Sequence, residues 1–127
     1  MQVVIDTNII VSALLNPKGA CYLFLDRVLA GVYDVVASSD IISEYDDVLR
    51  RKQFGFDEED VNFIIEWFWN NSLIVEVNEV DYRPVEVIDE KDIPFYITAK
   101  ATKSRLVTGN IKHYPIEEMR TMIWELT

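Results

Sequence analysis

The chain has 127 residues, half of them hydrophobic, which suits one domain built around a single core. Its 12 basic residues against 22 acidic ones give a formal charge of -10, which excludes holding nucleic acid by a general electrostatic field. Any such contact must be local or assisted by a metal ion. The single cysteine, Cys21, excludes an intramolecular disulfide and the paired-cysteine motif of a zinc site, and points to a reducing, cytoplasmic setting.

The first segment, MQVVID, has no basic leader, and its apolar run stops at Asp6. It is expected to be neither a secretory signal nor a membrane span, which needs about 18 apolar residues, so the protein is expected to be soluble. Residues 2–5 form a short β-branched run, and similar runs recur at 34–37, 73–77 and 105–108. All four read as buried parallel strands. Helical patterns lie between them at about 8–31, 39–51, 57–71 and 92–103. Ser38 or Ser39 is positioned to cap the second helix, whose stripe of Ile41, Ile42, Tyr45, Val48 and Leu49 leaves Glu44 at its edge. Asp57 is placed to cap the third, with acids in its first turn where the helix dipole favours them. That third helix, carrying Val61, Phe63, Ile64, Ile65, Trp67, Phe68 and Trp69, is apolar on most sides and suits deep burial or a subunit contact. Residues 78–91 are the most polar stretch and read as a surface connection containing a short extended piece at 85–88. The alternation predicts an α/β protein: a three-layer α/β/α sandwich with a mostly parallel central sheet, spanning residues 1–127 as one domain.

In such sheets functional groups gather beyond the carboxyl ends of the strands, near the switch in strand order. Asp6 directly follows the first strand. It fits that crevice, and it fits equally well as the N-cap of the next helix. Asn8 either holds the Asp6 carboxylate or shares the capping. Glu44, taken alone, is an ordinary solvated helical glutamate, and only its partners raise it. Asp89 and Asp92 bracket a DEKD run before a helix, where either suits a cap or first-turn acid. Asp92 is better placed, because Pro94 fits a first helical turn. Gly109 and Asn110 follow the last strand, where a plain turn explains them as well as a site does.

The reading is therefore collective. Acidic and amide side chains follow successive elements of one α/β domain, and the fold brings them to one end. Clustered carboxylates repel one another unless a cation lies among them, and oxygen ligands suit Mg²⁺ or Mn²⁺. Lys100, Lys103, Arg105 and Lys112 make a candidate basic edge near the site, and Arg50, Arg51 and Lys52 a second cluster, although short basic runs commonly solvate helix ends. His113, the single histidine, and Lys112 are candidates for phosphate contact. The run Trp67, Phe68, Trp69 suits core or dimer packing at its helical spacing better than base stacking.

The pattern DTNII-VSALL at 6–15, SEY at 43–45, D-EKD-IPF at 89–95 and LVTGN-IKHYP at 106–115 resembles PIN domains, in particular the prokaryotic branch known as toxin components of toxin–antitoxin pairs. The resemblance implies a Mg²⁺- or Mn²⁺-dependent endoribonuclease acting on single-stranded or structured RNA. It makes Asp6, Glu44 and Asp92 the catalytic acids and metal ligands, with Asn110 as a fourth ligand and Asn8, Asp89 and Thr108 as supporting or alternate ones. Asn110 replaces the commoner aspartate. Its amide oxygen can coordinate Mg²⁺ but adds no charge, which favours one firmly held ion, a second being recruited by the substrate phosphate. A homodimer and an antitoxin protein are implied partners, and no membrane is expected. Two alternatives stand beside this: a non-catalytic PIN-fold module binding nucleic acid or protein, and a receiver-like phosphoryl-transfer enzyme with Asp6 as nucleophile. The second lacks the further aspartate two positions on, where Asn8 stands.

Overall fold

In the computed structural model the described residues are 1–82, 89–109 and 120–121. Four short parallel strands are β1 (Gln2–Ile5), β2 (Asp34–Ala37), β3 (Leu73–Ile74) and β4 (Arg105–Val107), and a fifth, β5 (Arg120–Thr121), pairs beyond β4. The sheet order is β3-β2-β1-β4-β5, with every pairing parallel. Val3 lies opposite Val35 on one side and Arg105 on the other. Successive strand residues point to opposite faces, yet Val3, Val4 and Ile5 are all fully buried, so helices cover both faces of β1. This is the expected α/β sandwich. Asn110, Lys112, His113 and the 85–88 segment lie outside the described residues.

The helical pattern over 8–31 resolves into two elements, α1 (Thr7–Leu15) and α2 (Ala20–Leu29), inclined at 110° to one another. Asn16-Pro17-Lys18-Gly19 breaks the chain there: Pro17 cannot continue the hydrogen-bond ladder, and the Gly19 N–H turns back to the Asn16 carbonyl at 3.0 Å. Among the described residues no single helix is long and apolar enough to cross a membrane.

Ser38, and not Ser39, caps α3 (Ser39–Leu49), its hydroxyl accepting from the Ile41 N–H at 3.2 Å. Asp57 caps α4 (Glu58–Asn71) as expected, accepting from the Glu59 N–H at 2.8 Å. The third strand is shorter than its 73–77 apolar run. The Val75 N–H still reaches the Ala37 carbonyl at 2.9 Å, but β2 ends there because Ser38 turns the chain into α3. α4 is amphipathic rather than apolar on most sides: Val61, Ile64 and Phe68 face the core, while Phe63 and Trp69 are exposed. A short helix α5 (Glu79–Tyr82) and a 3₁₀ turn (Glu90–Asp92) precede α6 (Ile93–Thr102), which ends at Lys103 in a left-handed conformation with φ 55°.

Candidate active site

β1 continues to β2 on one side and meets β4 on the other, so the order of the sheet reverses direction at β1. A crevice forms beyond the carboxyl ends of strands at such a switch. The residues leaving β1 and β4 there are Asp6 and Thr108. Both are buried, and Thr108 Oγ1 donates to Asp6 Oδ2 at 2.8 Å. Asp6 occupies the N-cap position of α1, yet its side chain makes no capping hydrogen bond. Its carboxylate is turned toward β4 instead. The Asn8 amide oxygen accepts from the Gly109 N–H at 3.4 Å, which ties the first turn of α1 to the turn after β4.

Glu44 comes to the same place through α3. Its neighbour Tyr45 is fully buried, packs on Phe68 at 4.9 Å and Phe95 at 6.1 Å, and donates its hydroxyl to the Ile5 carbonyl at the end of β1. That bond anchors α3 over the residue before Asp6. Thr7, nearly buried, donates from Oγ1 to Glu44 Oε2. Thr7 escapes the sequence reading, because its role depends on α3 crossing the start of α1. Its position between Asp6 and Asn8 is the available signal. Tyr45→Phe removes the donor to the Ile5 carbonyl and is expected to cost about 1–3 kcal/mol, read as a lower denaturation midpoint in urea.

Asp92 closes the arrangement from the end of the 3₁₀ turn. It is 6% exposed and makes no side-chain cap to α6. Asp89 caps the 3₁₀ turn itself, accepting from the Lys91 N–H at 3.2 Å, and stays exposed. Asp6, Glu44 and Asp92 thus line one cavity of about 290 Å³, together with Thr7, Asn8, Val11, Val48, Arg51, Phe54 and Lys91. Asp89 is not among its lining residues. Among the described residues, no three acidic, histidine or cysteine side chains stand close enough as placed to hold a metal ion.

The basic lining also differs from expectation. Lys103 and Arg105 stand at the amino end of β4, across the sheet from Thr108, and Lys100 lies over the Tyr96 ring at 5.6 Å. The cations of the cavity are Arg51 and Lys91, from the end of α3 and the 3₁₀ turn.

Partial burial raises the pKa of Glu44 above its ordinary value of 4.5. The Thr7 hydrogen bond opposes this, the charges of Asp6 and Asp92 add to it, and Lys91 offsets part of it. A carboxyl raised in the fold binds its proton more readily there than in the unfolded chain, so stability without metal falls as pH rises through the window just above 4.5. Glu44→Gln keeps an acceptor for Thr7 and cannot ionise. It is expected to melt above the parent at pH 7 in chelator, a gap that closes as the pH drops below the ordinary glutamate range. Paired thermal melts across pH check both parts. Burial, and then the charges of Asp6 and Glu44, raise the Tyr45 pKa well above its ordinary value, so its hydroxyl keeps its proton.

Fold and site together define a parallel α/β protein with an acidic pocket at the switch point of its sheet. A family model described as PIN domain matches residues 2–112. The chain belongs to the PIN-domain family, whose members are generally nucleases. No curated protein matches it by sequence. In fold it is similar to a chain in the crystal structure of VapBC2 from Rickettsia felis bound to a DNA fragment from their promoter. The two share 22% identity and a TM-score of 0.67, over 96% of this chain and 98% of that one.

Proposed function

We propose that the protein is a Mg²⁺- or Mn²⁺-dependent endoribonuclease of the cytoplasm that hydrolyses phosphodiester bonds as the toxin component of a toxin–antitoxin pair. The observation that carries this is the convergence of Asp6, Glu44 and Asp92 on one cavity, in a chain of the PIN family. The donor set fits such an ion: carboxylate oxygens are hard ligands, and the charges of Asp6 and Asp92, which add to the burial that raises the Glu44 pKa, are what a cation offsets. Asp6, Glu44 and Asp92 would hold the ion, with Asn110 as a further ligand by family resemblance. When bound, it supplies an activated water and a counter-charge for the phosphate.

The remaining work falls to the chain's own side chains. Thr108 orients Asp6 and Thr7 orients Glu44, so both carboxylates are set before substrate arrives. Arg51 and Lys91 bring positive charge to a phosphate that a net charge of -10 otherwise repels. Hydrolysis leaves a 5′-phosphate and a 3′-hydroxyl.

A second reading, a non-catalytic PIN-fold module, is favoured by the absence, among the described residues, of a ready-gathered ligand set. Calorimetric titration with Mn²⁺ alongside cleavage of a generic single-stranded RNA separates the two. Binding with metal-dependent cleavage supports the enzyme, and the absence of both overturns it. The likeness to a chain of the VapBC2 complex supports assembly with an antitoxin. Co-purification with the product of an adjacent small reading frame tests that assembly, and sedimentation of the free protein tests the homodimer.

A further inference from the structure

The cavity lining includes two unlike sets of side chains: carboxylates, and Val11, Val48, Phe54 and Arg51, which an ion alone does not need. Phe54 and Arg51 are placed locally. After α3 the chain makes a tight turn in which the Phe54 N–H bonds the Arg51 carbonyl at 3.1 Å, so ring and guanidinium leave the same turn. Gly55 follows with φ +63°, a conformation that side-chain-bearing residues rarely adopt. This reversal lays Phe56 parallel to Phe54, with ring centroids 5.4 Å apart and planes at 8°. Phe54 is thereby held in one orientation while remaining only partly buried. Arg51 is committed to little: it pairs with Asp47 at 3.3 Å, in an exposed (i, i+4) contact that contributes little stability.

A flat aromatic face stacked on Phe56, beside a guanidinium held only by an exposed pair with Asp47, in a cavity shared with carboxylates, suits one repeating unit of a single nucleic-acid strand. The base would lie on the ring, its phosphate on the cation, and the next phosphate on a metal ion held by the carboxylates. We propose that Phe54, Val11, Val48 and Arg51 form a subsite for one unpaired nucleobase and its phosphate, next to the scissile bond. The inference rests on the ribonuclease reading above. It locates base stacking on the turn after α3 and not on Trp67, Phe68 and Trp69, which do not line this cavity.

The test is fluorescence anisotropy of the parent protein with a labelled short oligouridylate and Ca²⁺, which also takes oxygen ligands, probe integrity being checked on a gel, while cleavage is assayed separately with Mn²⁺. Phe54→Ala is expected to weaken binding about tenfold or more, as loss of a stacked base does. Phe54→Trp is expected to stay within about twofold of the parent, because the indole also offers a flat face. An abasic version of the probe is expected to bind the parent weakly and to show no further loss in Phe54→Ala. The subsite is overturned if the parent does not bind the probe, if Phe54→Ala binds as the parent does, or if Phe54→Trp loses as much as Phe54→Ala. Phe54-dependent binding by a chain that shows no Mn²⁺-dependent cleavage would leave the subsite standing and remove the nuclease reading.

Discussion

Replacing Asp6 with Asn is expected to remove Mn²⁺ binding and RNA cleavage together while leaving the fold intact. The substitution is nearly isosteric, and the amide oxygen can still accept from Thr108 at the end of β4. It also takes one negative charge out of a cavity that holds three carboxylates, so thermal stability in chelator should hold or rise slightly. What disappears is the ionised oxygen at the switch point of the sheet. Loss of a residue that merely orients a ligand costs about 10–100-fold in metal affinity, so loss of a ligand charge should exceed a hundredfold. Calorimetry, initial cleavage rates and a melting curve on the same sample check the three parts. Cleavage within about tenfold of the parent would place the reacting centre elsewhere.

The second large effect falls on stability. Phe68→Ala is expected to destabilise the protein by about 3–5 kcal/mol, whereas Trp69→Ala should cost under about 1 kcal/mol. Phe68 is fully buried between Tyr45 and Trp67, at 4.9 Å and 5.2 Å, and its loss opens a cavity beneath the helix that carries Glu44. Trp69 is 45% exposed on the other side of α4. Urea unfolding of the two variants measures the difference. Comparable small losses in both would mean that α4 does not seal the core as described. If Trp69→Ala weakened RNA binding and Phe54→Ala did not, base stacking would belong to α4.

The neighbouring residues 67–69 show why sequence and structure agree in part. Periodicity assigns residues 67–69 to a packed helix, but in a segment apolar on most sides it does not single out Phe68, which joins Val61 and Ile64 on the buried face. It cannot say that Trp69 faces solvent, since hydrophobic residues on an exposed face look the same in one dimension. The strand-end position of Asp6 is legible for a local reason: a β-branched run stops abruptly at an acid. Its release from capping is not legible, because that depends on Thr108, which lies 102 residues further along the chain.

Glu44 illustrates the same limit from the other side. A glutamate at the edge of an apolar stripe is usually a surface residue, and what draws it in is Tyr45 reaching the end of β1. The break at Asn16-Pro17-Lys18-Gly19 is written in the turn residues themselves, though the apolar periodicity of its flanks hides it. The basic lining is a purely spatial property. Lys103 and Arg105 are close in sequence to Thr108, but the intervening strand carries them to the opposite end of the sheet, while Arg51 and Lys91 arrive from elements far apart in the chain.

The bond from Thr108 to Asp6 has a temporal consequence. Residues 6 and 108 meet only after β4 has slotted against β1, and that long-range parallel pairing is among the slower steps open to a chain. During synthesis β1, β2 and the helices α1 to α3 can gather before β4 has emerged, and such an assembly already holds Asp6, Thr7 and Glu44. Its Asp6 carboxylate still lacks the hydroxyl that orients it. The acidic pocket is therefore completed last, by the strand that closes the sheet on the far side of β1.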